Sequence, residues 1–380
     1  MKVVFFANYV PDPCGAFFHD VAIAQELKKR GHQVSFVVVR NKNGVRGVYR
    51  GIPWTLYTNA EGDMASAHVW SSPHFPIMPV VRRLNEQFQR PLVVTAHFGE
   101  DVASILPYSR YGDWAEFLFI VSNSITKNLK SRIPFSPTFK TIEAVRPIMI
   151  ENEIKFNERG TLPNGEYITL INANLLKGLD IFCKMARKYP DRKFLGVKPY
   201  YNAVNVPALP NIDWIDIQDD IRNVLKRTRL LLVPSKYESW GRVAFEAMYN
   251  GIPVIYSSPM KPDNPQIKPS GSTDGLAEWI GDSQLSCPYD DENAWSSAIE
   301  QLDDPDTYKR HSELAYETTY NMDCFSDINK IEKQWMELAI QFAPKPSQNV
   351  FKKVDEINPT RMVMPQASAG FRAGRFVVRR

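Results

Sequence analysis

Two glutamates eight residues apart, Glu238 and Glu246, sit in the segment Leu231–Ser257, LLVPSKYESWGRVAFEAMYNGIPVIYS. An apolar strand ends at Pro234, a short loop follows, a helix is expected from about Trp240, and a Gly-Ile-Pro turn feeds another strand. The free backbone N–H groups of that loop, with the positive end of a helix dipole, make an anion site. A carboxylate is a good acceptor for two vicinal hydroxyls of a sugar or ribose. Phosphate and hydroxyl recognition together suggest a nucleotide-sugar. The competing reading makes Glu238 a helix-start acid and Glu246 a solvated surface acid.

Other acidic groups read as structure. Asp304-Pro-Asp306 spells a metal-binding triplet but follows a helix end, so it is expected to be a turn with helix-start acids, as is Asp290-Asp291-Glu292. Cys14, Cys183, Cys287 and Cys324 lack metal-ligand spacing, and free thiols in a reducing compartment are expected. No zinc site is visible.

Parallel α/β elements must position these groups. Met1–Val10 reads as a strand, Phe17–Leu27 as a helix with Phe17, Val21, Ala24 and Leu27 on one face, and Val34–Val39 as a strand. That is a βαβ unit. Strands follow at Leu92–Thr95 and Phe117–Val121. After Pro147 the rhythm restarts with Tyr167–Ile171, helix Asp180–Tyr189, Phe194–Val197, Leu230–Val233 and Pro253–Ser257, then a late helix at Ile328–Phe342. The expected fold is α/β, two doubly wound Rossmann-like domains facing a central cleft. The expected division is 1–157, 158–324, a helix at 325–343 returning to the N-terminal domain, and a basic tail at 344–380.

The segment around Glu238 and Glu246 resembles the glutamate-x7-glutamate motif of retaining GT-B glycosyltransferases, family 4 (group 1). Glu-Ala-Met and Gly-x-Pro-Val stand at their usual spacing. Pro13-Cys14-Gly15-Ala16 occupies the family's first loop, and Arg30-Gly31-His32-Gln33-Val34 resembles its lead into the second strand. Val94-Thr95-Ala96-His97 resembles a strand ending in a sugar-facing histidine. Val121-Ser122-Asn123-Ser124 and Leu176-Lys177-Gly178 match two further motifs, so the likeness spans roughly residues 1–340.

The resemblance implies that Glu246 holds the ribose hydroxyls and Glu238 the donor sugar. Lys177, Gly15, Ala16 and the backbone at Ser239–Gly241 would face the diphosphate, and His97 the reacting sugar. It implies metal-independent transfer with retention, the departing phosphate helping to take the acceptor's proton. Glu100 or Asp101 as base is the weaker alternative. His19 is expected to be structural or a loop orienter. The chain departs from the family at Asn172, where an arginine is common, and at Ala16, where a second glycine is common. Lys177 would then carry more of the leaving-group charge, or Arg242 or Lys236 would compensate.

The 380 residues are 44% hydrophobic and 23% charged, an ordinary globular composition that argues against wholesale disorder. No apolar run reaches membrane-spanning length, and the N-terminus lacks the features of a signal peptide. A cytoplasmic enzyme without cofactor or metal is expected. The net charge of +4 lies in the tail, where Lys352, Lys353, Arg361, Arg372, Arg375, Arg379 and Arg380 face only Asp355 and Glu356. That tail could contact nucleic acid, touch an anionic membrane, or remain a solvated extension. The rival functions are transfer onto modified bases of nucleic acid, and a nucleotide-sugar binding protein or epimerase without transfer. Ile215–Ile217 are candidates for contact with the nucleobase. Trp54, Tyr57, Trp70, His74, Phe75 and Tyr111 are candidates for an acceptor site.

Overall fold

The computed structural model describes residues 1–12, 14–40, 44–72, 77–97, 116–124, 145–200, 205–259 and 273–342. The first sheet contains β1 (Lys2–Ala7), β2 (Gln33–Val38), β3 (Arg46–Tyr49), β4 (Ile52–Leu56), β5 (Val69–Ser72), β6 (Leu92–Ala96) and β7 (Glu116–Ile120). Their order is β3-β4-β2-β1-β5-β6-β7. Every pair is parallel except β3 with β4, a hairpin at the sheet's edge.

The second sheet contains β8 (Tyr167–Ile171), β9 (Phe194–Val197), β10 (Ile212–Ile215), β11 (Thr228–Val233), β12 (Val254–Ser257) and β13 (Leu285–Cys287). It runs β10-β9-β8-β11-β12-β13 and is parallel throughout. The two Rossmann-like halves expected from the sequence are therefore present.

Burial on both faces explains the strand sequences. β1 and β11 are nearly continuous Val, Leu and Phe, buried from the second residue of β1 and the third of β11 onward, because helices cover parallel sheets on both sides. The first helix, Gly15–Lys29, buries Phe17, Val21, Ala24 and Leu27 as its periodicity predicts. Helix Ile328–Gln341 sends Ile328, Ile331, Trp335 and Leu338 into the core of the first half, with Trp335 5.8 Å from Phe5. Glu332 on that helix receives Arg30 at 2.6 Å and lies 2.7 Å from His32. The Arg-Gly-His segment thus anchors the last helix.

Asp304 is the N-cap of helix Pro305–Met322, accepting from the Thr307 backbone, and Asp291 caps Glu292–Gln301. Both acidic runs are helix starts, as expected. The four cysteines are free thiols. Among the described residues, no helix is long and apolar enough to cross a membrane.

Candidate active site

In each sheet the strand order reverses beside a central strand, at β1–β5 in the first half and β8–β11 in the second. Loops leaving such a pair diverge to opposite faces and open a crevice beyond the carboxyl ends of the strands. Lys177 follows β8 and Glu238 follows β11, so they approach from the two sides of one crevice.

Local geometry brings them together. The Asn174 side chain accepts hydrogen bonds from the backbone of Leu176 and Lys177, shaping the turn Leu175–Lys177. Gly178 then takes φ +80, and a Cβ there would lie 2.0 Å from the Pro234 carbonyl oxygen. Only glycine allows that conformation and that approach. Lys177 Nζ donates to Glu238 Oε1 at 2.6 Å, and Ser235 Oγ donates to the same oxygen at 2.8 Å. Glu238 is buried, whereas the Lys177 side chain is 26% exposed. The pair leaves a cation partly open beside a fixed carboxylate.

The next helix begins at Arg242, two residues later than the sequence suggested. Gly241 at φ +81 turns the chain first, its Cα so close to Leu276 that a Cβ would lie 2.4 Å from Cδ1. Trp240 stacks on Trp279 at 5.2 Å, and its carbonyl accepts from Trp279 Nε1 at 2.6 Å. Its side chain is core, packed in an aromatic cluster with Phe245 and Trp279. The Ser239 carbonyl packs against Gly275. Arg242–Met248 is only seven residues long, so its dipole is shorter than expected and side-chain cations matter more.

Glu246 lies one turn beyond Arg242 and is 4% exposed, not the solvated surface acid of the competing reading. Arg242 Nε donates to its Oε1 at 2.7 Å. Burial pushes the carboxyl up from its usual range, and Arg242 pulls it partly back.

The first half supplies the facing wall. Gly15 opens the first helix and is exposed, with no protein atom within 4 Å of where a Cβ would stand; Ala16 follows, half-buried. His97 stands just past β6, its ring 5.3 Å from that of His19 and perpendicular to it. His19 is fully buried, and neither ring nitrogen has a hydrogen-bond partner. Burial, His97 and Arg242 all hold it well below the usual histidine range, so it is neutral. The sequence reading gave His19 a structural or loop-orienting role. The structure places it beside His97. Its position one helical turn after Gly15 was the available signal.

Other contacts span the halves. The β3–β4 hairpin turns at Arg50 and Gly51, both left-handed. Tyr49 donates to Asp219 Oδ1 at 2.7 Å, and Arg50 reaches Glu153 Oε2 at 2.7 Å and the Asp219 carbonyl at 2.6 Å. Asn123 and Ser124, beyond β7, donate to Glu278. Neither the hairpin nor its partners was recognised in the sequence, since short half-exposed strands carry little periodicity.

The remaining candidates separate. Lys236 Nζ sits 4.8 Å over the Tyr289 ring. Asn172 is exposed, with φ +64. Ile217 is exposed beyond β10, and Ile215 is half-buried. Trp54 and Trp70 are core, which removes them from an acceptor surface, and Tyr57 is half-buried. His74, Phe75, Tyr111, Glu100, Asp101 and the basic tail lie outside the described residues. Among the described residues, no group of three or more His, Cys, Asp or Glu side chains could hold a metal ion.

Asp20, beside His19, is also buried, and neither carboxyl oxygen has a hydrogen-bond partner. Burial raises its pKa well above the usual range, so folding favours its protonated form. That penalty is absent below the unfolded pKa and grows as pH rises from there toward the folded value. Asp20→Val should therefore stabilise the fold at pH 7.5 by about 1–3 kcal/mol. The gain should shrink near pH 4.5, as read by denaturation midpoints at the two pH values. An equal midpoint difference at both would show that Asp20 does not titrate between the folded and unfolded chains.

Residues 205–317 match the family described as Glycosyl transferases group 1, and this stretch contains Glu238 and Glu246. No curated protein sequence matches the chain. Among solved structures, sucrose-phosphate synthase from Thermosynechococcus elongatus is similar at TM-score 0.66 and 15% identity, over 90% of this chain and 100% of that one. HepE of Anabaena, in complex with UDP-glucose, is similar at TM-score 0.67 and 14% identity, over 90% and 100%. An α-glucosyltransferase in complex with UDP and a 13-mer DNA containing an HMU base is similar at TM-score 0.59 and 13% identity, over 90% and 99%. These likenesses establish the GT-B fold. With the family match they place the chain among transferase enzymes, as a glycosyltransferase.

Proposed function

We propose that this enzyme transfers a sugar from a nucleotide-diphosphate sugar to an acceptor hydroxyl, without a metal and with retention of anomeric configuration. The observation that carries the reading is the crevice itself. Lys177 and Glu238 meet at 2.6 Å from two diverging loops, and a second buried carboxylate, Glu246, stands in the helix that follows. Glu246 accepts from the ribose hydroxyls, and Glu238 from hydroxyls of the donor sugar. Lys177 opposes the negative charge that grows on the diphosphate as the glycosidic bond breaks, where a fixed cation counts most. Gly15 and Ala16 close over the phosphates from the other half, and His97 bonds the transferred sugar. The solved neighbours bound to UDP-glucose and UDP support a nucleotide-sugar donor.

Turnover of UDP-, ADP- and GDP-sugars in the presence of EDTA tests this reading. One donor should be consumed with EDTA present, and the sugar first transferred to water should keep the donor's anomeric configuration by NMR. Turnover abolished by EDTA and restored by a divalent cation would overturn the metal-independent mechanism, and an inverted product the retaining one.

A second acceptor class has specific support: one neighbour was solved with DNA containing a modified base, and the tail is basic. On that reading DNA binding falls steeply with salt and depends on residues 351–380.

A further inference from the structure

The donor site proposed above has one cation, Lys177, in the second half's crevice where two would serve a diphosphate. Asn172 is uncharged and left-handed, a conformation that asparagine tolerates better than longer side chains do. Two nearby cations remain. Lys236 is committed elsewhere, its ammonium over the Tyr289 ring and its backbone N–H bonded to the Leu176 carbonyl. Arg242 follows directly on the Glu238–Gly241 loop. Its Nε is fixed by Glu246 at 2.7 Å, while its Nη1 is buried without a hydrogen-bond partner.

An unpartnered guanidinium nitrogen is costly, because a charged donor taken out of water needs an acceptor. The protein supplies none to Arg242 Nη1, and the ring nitrogens of buried His19 on the other half are also without partners. Arg242 thus carries an unsatisfied buried donor directly after the Glu238–Gly241 loop. We infer that Arg242 is a second clamp on the donor, its Nη1 donating to an anionic oxygen of the diphosphate, with Glu246 fixing the guanidinium between the ribose and the phosphates. The inference rests on the nucleotide-sugar reading. It adds that the second cation comes from the first turn of the helix after β11. Glu246 then has two tasks, binding the ribose and aiming Arg242.

The test compares affinities for a nucleoside and its diphosphate, using uridine with UDP, adenosine with ADP and guanosine with GDP. Three proteins are compared: the wild type, Arg242→Gln, which keeps a hydrogen-bond donor for Glu246 without the charge, and Arg242→Lys. The wild type should bind one diphosphate far more tightly than its nucleoside. Arg242→Gln should shrink that ratio about 10- to 100-fold while leaving nucleoside affinity nearly unchanged. Arg242→Lys should restore most of it. If the ratio is unchanged in Arg242→Gln while the wild type binds, the diphosphate clamp is wrong and the nucleotide-sugar reading stands. If nucleoside affinity falls and the ratio does not, Arg242 acts only through Glu246. If the ratio is unchanged but affinity for a nucleotide-uronate falls, the anionic oxygen belongs to a sugar carboxylate, which also overturns the diphosphate assignment. A wild type that binds no diphosphate overturns the nucleotide-sugar reading and this inference with it.

Discussion

Glu246→Ala is expected to lower donor affinity by about 100-fold or more, the loss of two hydrogen bonds from ribose hydroxyls to a buried carboxylate. The variant also strips Arg242 of the acceptor that fixes its Nε. Stability should fall as well, because a charge that had a buried partner loses it. Glu246→Gln separates these effects by keeping shape and one acceptor oxygen. Its donor affinity should fall less, and its fold should remain close to wild type. The wild type should also show a pH signature. Burial raises the Glu246 pKa, so the carboxylate is lost on acidification earlier than an ordinary glutamate. Affinity for a nucleoside should therefore decline as pH falls through that raised value, and Glu246→Gln should abolish this decline. Isothermal titration with the nucleoside at pH 5 and pH 8 reads both. Undiminished nucleoside binding by Glu246→Ala would remove Glu246 from the ribose.

Lys177→Met should act on the chemical step. A fixed donor aimed at developing charge is worth about 100- to 1,000-fold in kcat, and Lys177 is the cation at the mouth of the β8–β11 crevice. Donor affinity should fall less than kcat, because leaving-group charge is greatest in the transition state. The variant also leaves Glu238 buried beside Ser235 alone, a cost of about 1–3 kcal/mol that appears in the melting temperature. Lys177→Met with Glu238→Gln should recover much of that stability and none of the rate. Equal losses in kcat and in stability, both recovered by the double variant, would make the ion pair structural.

Much of the scaffold was legible because parallel strands are buried on both faces. Tyr167–Ile171 and Phe194–Val197 read directly from their apolar runs, and the first helix from its 3.6-residue period. The edge hairpin β3–β4 was missed because Arg46–Tyr49 is half-exposed and its turn, Arg50-Gly51, is not a strong turn signal. Where the Trp240 side chain packs is decided at a distance, by its stack on Trp279 from another helix.

The sequence by itself determined the two α/β halves and the candidate carboxylates Glu238 and Glu246, because local pattern and spacing encode strands, turns and the ends that follow them, while Lys177 came from the family resemblance alone. Tertiary structure alone decided which of these groups meet. Lys177 and Glu238 are 61 residues apart and become an ion pair because Gly178 lets two loops pass at backbone contact. Asn123 and Ser124 of one half meet Glu278 of the other only once the halves face each other. Spacing along a chain fixes neighbours within an element. The desolvation and unpaired donors that make a site exist only after distant elements have closed around it.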